Sequence, residues 1–475
     1  MRIKSDVKLQ EHQQNALSFC MARSASLVSY GTGTGKSLIM ISLSLDLINS
    51  MTTSKAIIVV TASSIISLEE DIEKFVDKPE YDVINNEDDL YMFLTGRKQL
   101  ALMKYNAIRL LKDKVSCVSI HGAVQSLPNG LTLCYDEVHA VKSPKSITTK
   151  SHRNLRCVSD RCYGFTATAL TKDLFDLFYV VDFICPHSLG SFWSFRSRYI
   201  RFHTWNGHMM VDGYKNLDLL ELALSNIQVT YFPKKDVVFI QHPCILTKIE
   251  EYHEAAQGYL DTVEQNKYDD EDEEEIYTGQ KQHSVRLIDL QYVVNSDPAK
   301  KAKLADVVKE YVHQGCIIYC SYYNTIEHVK EVLDLLKIEY DQISGDRNIT
   351  KRKDVKDWFN EDPSGKCLIL TKAGGQSLNL QSCPCFIFMD TPQNPAVMLQ
   401  AMGRIVRIGS KFDKFFINFI VCEDTIDQYK YDYMCQHKEA LTILMHNEAL
   451  PSSKALSGYN SYIINKLKRK YLWNK

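Results

Sequence analysis

Short apolar runs alternate with amphipathic stretches along the chain, and each run closes on polar or small residues. The runs are rich in Val, Ile, Phe and Cys, and they cover residues 26–29, 56–60, 131–135, 316–320, 367–370, 385–389 and 415–421. Between many of them, as in residues 36–49 and 326–336, apolar side chains recur at helical spacing. Buried strands that alternate with helices predict parallel α/β sheets. Because the runs fall into two groups, before about residue 170 and after about residue 315, we expect two such sheets.

The middle and the end of the chain follow different patterns. Residues 219–226 and 248–265 have helical spacing, and an unbroken acidic run follows at 269–275. Like charges repel, so this run predicts a solvated loop, with a DNA-mimicking or DNA-repelling segment as the alternative. Residues 466–475 are basic with interleaved aromatic residues. That pattern is typical of a segment that contacts phosphates and equally of a solvated tail.

Composition and charge narrow the class of protein. Of the 475 residues, 45% are hydrophobic and 24% are charged, which is ordinary globular usage and excludes collagen, coiled-coil and largely disordered chains. Lys plus Arg is 56 and Asp plus Glu is 58, so any nucleic-acid contact must come from a local patch.

The cysteines indicate the redox state of the compartment in which the protein works, and the apolar runs indicate whether it crosses a membrane. The 14 cysteines have neither the spacing of a disulfide framework nor that of a zinc site, so we expect free thiols in a reducing compartment. The polar N-terminus lacks the apolar segment of a signal peptide, and no apolar run reaches the ~18 residues of a membrane span. We therefore expect a soluble, intracellular protein with no membrane partner.

A glycine-rich loop lies between the run at 26–29 and the helical pattern that follows it. Its residues are Tyr30, Gly31, Thr32, Gly33, Thr34, Gly35, Lys36 and Ser37. Glycines let backbone N–H groups face phosphate oxygens, and the start of a helix adds its dipole. Lys36 would reach the β and γ phosphates, and the Ser37 hydroxyl would ligate Mg²⁺. Tyr30 occupies the position of the usual first glycine. The loop predicts a site for ATP and Mg²⁺; a chance Gly-Lys-Ser turn is the alternative.

Two carboxylates follow the apolar run at 131–135. Asp136 would hold Mg²⁺ through water, and Glu137 would orient or deprotonate the attacking water. An acidic turn without catalytic function is the alternative. Upstream of the loop, Gln13 is a candidate for contact with the adenine edge.

Two arginines far along the chain complete the predicted chemistry. Phosphoryl transfer spreads charge over the γ oxygens, and an inserted arginine stabilises that charge. Arg404 and Arg407 are three residues apart, so both would lie on one helical face. If they complete the site, ATP binds between two lobes and hydrolysis is coupled to lobe closure. A surface helix with two solvated arginines is the alternative.

Four segments, in this order, carry a recognisable pattern. Residues 136–146 include Asp-Glu-Val-His, residues 165–169 are Phe-Thr-Ala-Thr-Ala, residues 373–380 are Ala-Gly-Gly-Gln-Ser-Leu-Asn-Leu, and residues 404–409 are Arg-Ile-Val-Arg-Ile-Gly. Together they resemble the motifs of superfamily 2 helicase-type ATPases, and within these the Swi/Snf type. The resemblance covers about residues 8 to 430.

The chain departs from that family pattern at three places. Ser67 and Leu68 stand where the family commonly has Asn-Trp. Residues 231–236 stand where two arginines usually begin the second part of a helical protrusion that this family carries between its two lobes. Tyr30 is the third departure. None of the three departures removes a residue needed for ATP hydrolysis. The first two lie at positions that affect DNA binding and contacts with protein partners.

The resemblance implies two RecA-like parallel-sheet lobes with a helical protrusion inserted between them. On this basis we expect an ATP-binding lobe over 1–188, the protrusion with the acidic loop over 189–300, a helicase lobe over 301–425, and a helical extension with the basic tail over 426–475.

The resemblance also assigns further residues. It places nucleic-acid contacts at strand ends, a nucleotide contact in the segment 373–380, coupling residues near the carboxylates, and Gln400 beside the two arginines. The residues are Thr61, Ser63, Ser321, Thr371 and Lys372 for nucleic acid, Gly375 for the nucleotide, and His139, Thr166 and Thr168 for coupling. Hydroxyls and backbone N–H groups at strand ends suit phosphate contacts that carry no base information, while plain capping is the alternative.

The function that follows is an ATP-hydrolysing motor that translocates on double-stranded DNA and remodels protein–DNA complexes or DNA junctions. A strand-separating DNA or RNA helicase is one alternative, and a binding scaffold that does not hydrolyse ATP is another. Intact Lys36, Asp136 and Glu137 and both arginines argue against the scaffold. We expect a monomer that binds duplex DNA, branched or protein-bound, and a possible recruiting protein partner.

Overall fold

A computed structural model describes most of the chain. The described residues are 1–62, 64–112, 114–167, 174–205, 208–231, 235–265, 287–345, 349–371, 380–392, 395–407, 410–435 and 459–471. They form two compact units, one of residues up to 231 and one of residues from 235 onward. Within these residues, no helix is long and apolar enough to cross a bilayer.

The first unit is built on a seven-stranded sheet whose adjacent strands all run parallel, in the order β11-β2-β8-β7-β3-β6-β5. Its strands are β1 (Arg2–Ile3), β2 (Ala25–Tyr30), β3 (Lys55–Val60), β4 (Val76–Asp77), β5 (Tyr81–Ile84), β6 (Leu100–Lys104), β7 (Leu131–Asp136), β8 (Arg161–Thr166), β9 (Ile200–Trp205), β10 (His208–Tyr214) and β11 (Gln228–Tyr231). Its helices are α1 (Glu11–Met21), α2 (Lys36–Asn49), α3 (Ile65–Phe75), α4 (Glu87–Thr95), α5 (Lys114–Gln125), α6 (Ile147–Val158), α7 (Leu174–Ile184), α8 (Phe192–Tyr199) and α9 (Leu217–Ser225).

The second unit is built on a six-stranded parallel sheet in the order β12-β17-β16-β13-β15-β14. Its strands are β12 (Asp236–Cys244), β13 (Cys316–Cys320), β14 (Glu339–Ile343), β15 (Lys366–Thr371), β16 (Cys385–Phe388) and β17 (Lys414–Cys422). Its helices are α10 (Ile249–Gln265), α11 (287–296), α12 (Pro298–Tyr311), α13 (Tyr323–Leu336), α14 (Ile349–Glu361), α15 (Pro395–Met402), α16 (426–435) and α17 (Tyr459–Tyr471).

A central strand explains why the first sheet is covered on both faces. Every residue of β3 is buried, and alternate side chains enter different apolar clusters: Ile57 and Val59 enter one, Ile58 and Val60 the other. Successive side chains of a strand point to opposite faces, so such a strand needs a layer of helices on each side. α2 supplies part of one layer, with ten of its 14 residues buried. The predicted fold of two parallel-sheet lobes is confirmed.

The predicted protrusion at 189–300 contains strands as well as helices. β9 and β10 form an antiparallel hairpin, β11 pairs with β2 at an edge of the first sheet, and β12 pairs with β17 at an edge of the second. The predicted domain limits stay predictions. The chain passes from the first compact unit to the second between residues 231 and 235, within the predicted protrusion. The acidic run at 269–275 lies outside the described residues.

The C-terminal basic segment is helical over its described part. α17 packs against α10, and its Ile463 and Leu467 are fully buried in the apolar core of the second unit. Lys470 donates to the carbonyl of Asp424 at 2.7 Å. Up to Tyr471 this segment is therefore a docked helix and not a solvated tail. All 14 cysteines have free thiols.

Candidate nucleotide-binding site

The glycine-rich loop connects the end of β2 to the start of α2. Gly33 and Gly35 have φ of 71° and 78°, a left-handed conformation that glycine adopts without steric cost. A Cβ at Gly35 would also lie 2.2 Å from the side-chain nitrogen of Gln13, so any other residue there would displace Gln13. The hydroxyl of Thr34 donates to the carbonyl of Gly31 at 2.8 Å and closes the turn. The half-buried Thr32 lies between them.

Gln13 supports the loop from α1. Its Nε2 donates to the Thr34 carbonyl at 3.1 Å, and its Oε1 accepts from the backbone N–H of Gln10 at 2.9 Å. The side-chain amide of Gln13 is thus engaged at both ends within the protein. His12, which the sequence did not single out, contacts the same Thr34 carbonyl through Nε2 at 3.0 Å.

Lys36, the first residue of α2, donates to the carbonyls of Tyr30 and Gly31 at 3.0 and 3.1 Å. The ring of Tyr30 is buried in the apolar core, so its contribution to this loop is its carbonyl. Ser37 follows at the same end of the helix and is half-buried. The positive end of the α2 dipole and the Lys36 ammonium together make this strand end electropositive.

Asp136 is the last residue of β7, two strands away from β2 in the sheet. Burial raises the pKa of its carboxyl, the neighbouring Glu137 raises it further, and the Lys36 charge lowers it. The backbone carbonyl of Asp136 accepts a 2.7 Å hydrogen bond from the hydroxyl of Tyr105. The position of Asp136 is thus fixed by β7 on one side and by Tyr105 on the other.

Glu137 has φ 49° and ψ 51°, a left-handed conformation that costs a non-glycine residue energy and is concentrated at functional sites. Its Oε2 accepts from the Thr166 hydroxyl at 3.1 Å and lies 3.3 Å from His139 Nδ1. His139 Nδ1 is also 3.1 Å from the Thr166 hydroxyl oxygen, so we assign the proton to Nδ1. Burial opposes ionisation of Glu137, but the contacts from His139 and Thr166 and the Lys36 charge outweigh it and lower its pKa.

A buried histidine contacts Tyr105, the residue that binds the Asp136 carbonyl, and Tyr135, the residue before Asp136. His152 on α6 donates from Nε2 to the Tyr105 carbonyl at 2.8 Å, and its Nδ1 lies 3.2 Å from the Tyr135 hydroxyl. Burial lowers the pKa of His152 to about 4, so the ring is neutral near pH 7. No local sequence pattern indicates this role, because 47 residues separate His152 from Tyr105.

The residues of this strand end fit ATP and Mg²⁺. The loop presents backbone amides and the Lys36 ammonium, which suit phosphate oxygens. Mg²⁺ prefers oxygen ligands and usually combines one or two carboxylates with substrate phosphates. The hydroxyl of Ser37 and the carboxylate of Asp136 are oxygen donors of that kind.

The predicted residues of the second unit lie at its strand ends or after α15. Ser321 follows β13 and is exposed, and its backbone N–H donates to Asp390 Oδ2 at 2.8 Å. Thr371 ends β15 and is 8% exposed. Gln400 is half-buried on α15.

The prediction that Arg404 and Arg407 share one helical face is wrong. α15 ends at Met402, and Gly403, a poor helix former, follows it. The chain continues in a turn, with the N–H of Arg404 donating to the Ala401 carbonyl at 3.1 Å. Arg407 Nε donates to the Gly403 carbonyl at 2.8 Å, so a turn and not a helix orients the two side chains.

Some predicted residues stand apart from these groups. Thr61 follows β3, and its hydroxyl lies 2.7 Å from that of Ser64, at the start of α3. The residues Ser63, Thr168, Lys372 and Gly375 lie outside the described part of the chain.

Two protein families match this chain in succession. The SNF2-related domain matches residues 12–297, and the helicase conserved C-terminal domain matches residues 299–409. A structure titled "Sulfolobus solfataricus SWI2/SNF2 ATPase core in complex with dsDNA" is 18% identical and has a TM-score of 0.42, covering 93% of this chain and 94% of that one. At that TM-score the likeness adds nothing to the family assignment.

Curated relatives are similar at low identity. A Mycoplasma pneumoniae protein described as an uncharacterized ATP-dependent helicase is 23% identical over 385 residues, which cover 78% of this chain and 35% of that protein. DNA repair and recombination protein RAD54 of Saccharomyces cerevisiae is 23% identical over 368 residues, covering 68% of this chain and 40% of that protein. The chain thus spans between about a third and two fifths of the length of these relatives. Because the SNF2-related match alone covers more than half of the 475 residues, the chain belongs to the SNF2-related family of helicase-type ATPases.

Proposed function

We propose that this chain is an ATP-hydrolysing motor that translocates on double-stranded DNA and remodels protein–DNA complexes or DNA junctions. One observation carries the ATPase part: Thr166 and His139 hold the Glu137 carboxylate directly after Asp136, and the charge of Lys36, which begins α2, acts on both carboxylates. A scaffold without hydrolysis would not require a strained, ionised carboxylate at that position.

The residues divide the chemistry among them. Lys36 and the loop amides bind and orient the phosphates, and Ser37 and Asp136 would hold Mg²⁺. Bound Mg²⁺ supplies charge neutralisation at the phosphates. Glu137 orients the attacking water and accepts its proton. Its lowered pKa ensures that the carboxylate is ionised near pH 7 and can accept a hydrogen bond from that water. His139 and Thr166 fix the rotamer of Glu137 and link it to the end of β8.

Arg404 and Arg407 are proposed to stabilise the charge that develops on the transferred phosphoryl group. A guanidinium aimed at the γ oxygens is worth orders of magnitude in rate in phosphoryl-transfer enzymes. Gln400, close to them in sequence, is proposed to act in the same step. This requirement for residues of the second unit would make hydrolysis depend on both units.

Duplex DNA is the proposed track. DNA repair and recombination protein RDH54 of Saccharomyces cerevisiae is 24% identical over 349 residues, and its name and that of RAD54 both describe proteins of DNA metabolism. The hydroxyl-bearing residues Thr61, Ser321 and Thr371 follow or end parallel strands, and such groups suit phosphate contacts that read no base sequence.

The proposal is tested by comparing three activators and two substrates. ATP turnover is measured with duplex DNA, single-stranded DNA and RNA, and we expect duplex DNA to stimulate it most. Displacement of a third strand from a triplex is then measured beside opening of a forked duplex. A translocase displaces the third strand, whereas activity on the fork alone would establish the strand-separating helicase instead.

A further inference from the structure

Two departures from the family pattern, far apart in sequence, are neighbours in the fold. Tyr30 is the first residue of the glycine-rich loop, and Tyr231 begins the divergent segment at 231–236. β2 and β11 pair in parallel with Tyr231 opposite Tyr30, and the two ring centroids are 5.5 Å apart. The two substitutions therefore form one local arrangement.

A third ring completes that arrangement. The ring of His12 stacks on Tyr231 with a centroid distance of 4.2 Å and an interplanar angle of 9°, and it lies 5.9 Å from the ring of Tyr30. The Tyr30 hydroxyl donates to the His12 carbonyl at 2.7 Å. Burial raises the pKa of Tyr30 to about 12, so this donor keeps its proton at ordinary pH. We call His12, Tyr30 and Tyr231 the aromatic triad.

The aromatic triad is bonded to both ends of the glycine-rich loop. At the start of the loop, the backbone N–H of Gly31 donates to the Tyr231 carbonyl at 2.8 Å. At its far end, the Thr34 carbonyl lies 3.0 Å from His12 Nε2, and since a carbonyl only accepts, this nitrogen carries the proton. If a bound phosphate shifts the loop, the shift would thus reach Tyr231 by two routes: through the backbone hydrogen bond from Gly31 and through the His12 ring.

Tyr231 is also the last described residue before the chain passes from the first unit to the second. It is the last residue of β11, and Asp236, five residues later, begins β12 of the second unit. We propose that the aromatic triad is a positioning device that transmits the nucleotide state of the loop to the segment that enters the second unit. This inference rests on the proposed function, in that it requires the loop to bind ATP.

The test follows trypsin cleavage after Lys234 or Lys235, identified by fragment mass, with and without ADP and Mg²⁺. In the wild type we expect ADP to change the cleavage rate at least threefold. Tyr231→Leu should bind a fluorescent ADP analogue within threefold of wild-type affinity, while the effect of ADP on cleavage falls to less than 1.5-fold. Tyr231→Phe, which keeps the ring, should restore the wild-type response.

Two further variants separate transmission from simple loss of structure. His12→Phe keeps a ring against Tyr231 but removes the donor to Thr34, so it should also lose the ADP response. Tyr81→Leu is the matched control, because Tyr81 is half-buried against the same apolar cluster but lies on β5, at the opposite edge of the sheet. It should keep the response.

The outcomes distinguish this inference from the proposed function. A wild-type protein that binds no nucleotide would overturn both. Nucleotide binding without any ADP effect on cleavage, or a wild-type ADP effect in folded Tyr231→Leu and His12→Phe, would overturn the role of the triad and leave the ATPase proposal standing. Thermal melting by circular dichroism verifies that each variant is folded.

Discussion

Both sheets carry a carboxylate just after a central parallel strand, but the two carboxylates differ in solvent exposure and in hydrogen-bond partners. Glu137 follows β7 in the first unit with 26% of its side chain exposed, beside the loop and Lys36. Asp390 follows β16 in the second unit and is completely buried. Its two oxygens accept from the Ser321 N–H and from the Asn295 side chain.

The charges around Asp390 are paired internally. Lys300 and Asp427 are both fully buried and form an ion pair, and Lys430 donates to Gln291 at 2.5 Å. Buried charges that are mutually satisfied hold structure in place, whereas an ionised carboxylate left open to solvent can act on a ligand. Comparable strand ends therefore carry a partly exposed carboxylate in the first unit and an internally satisfied carboxylate in the second, and we propose chemistry only for the first.

The largest effect should come from removing the open carboxylate. Glu137→Gln keeps the size and the acceptor for Thr166 but cannot accept a proton. We expect ATP turnover to fall about 10³-fold or more, equivalent to about 4 kcal/mol, with nucleotide affinity changed only a few-fold. Turnover is measured by phosphate release and affinity by a fluorescent nucleotide.

Asp390→Asn provides the matched change at the closed position. It should destabilise the second unit by about 1–3 kcal/mol, because an amide nitrogen there would face the donors that now bind Asp390. Nucleotide affinity should stay unchanged. Loss of nucleotide affinity in Asp390→Asn, or near-normal turnover in Glu137→Gln, would contradict the claim that only the Glu137 strand end takes part in ATP hydrolysis.

Breaking the buried ion pair should have the next largest effect. Lys300→Met leaves Asp427 charged and buried, and this should lower the free energy of unfolding by about 3 kcal/mol or more. Urea unfolding of the second unit measures the loss. The double variant Lys300→Met with Asp427→Leu removes both charges and should recover much of it.

An exposed pair serves as the control for that measurement. Lys98 and Asp82 lie 2.9 Å apart, with 46% and 39% of their side chains exposed. Lys98→Met should change stability by less than about 1 kcal/mol, since water screens the pair. Equal losses at the exposed and buried pairs would contradict the structural role given to Lys300.

A smaller effect should appear in the pH dependence of the first unit. The folded pKa of His152 is lowered from 6.5 to about 4, so the unfolded chain takes up the proton at higher pH than the folded chain. Stability should therefore be fully present above about pH 6.5 and decline toward pH 4, by about 2 kcal/mol between pH 6.5 and 4.5. His152→Gln should flatten this part of the profile in urea unfolding; an unchanged slope would exclude His152 as its source.

Local patterns predicted much of the fold. The helix expected at 36–49 is α2 with the same bounds, and the run at 316–320 is β13, because a continuous buried run is visible in sequence. The edge strands β11 and β12 were missed, since half-buried residues at a sheet edge give a weak apolar pattern. The hairpin of β9 and β10 does have a sequence signal, because the dipeptide at 206–207 is Asn-Gly, which favours a tight hairpin turn.

The candidate site, like the fold, has parts that were predictable from local sequence and parts that were not. The glycine-rich loop and the pair Asp136 and Glu137 were predictable, because ATP chemistry needs fixed residue types at short spacing. The supports His12 and His152 were not, since tertiary contacts bring them to residues 22 and 47 positions away. The geometry of Arg404 and Arg407 was mispredicted because a helix was extended through Gly403.

Arg404→Ala, assayed for both ATP binding and ATP turnover, tests most directly whether the second unit serves a nucleotide bound by the first. Nucleotide affinity should stay within a few-fold of wild type, because the loop and Lys36 are intact, while DNA-stimulated turnover should fall at least 10³-fold. Turnover at the wild-type rate in this variant would contradict a catalytic site completed by both halves of the chain.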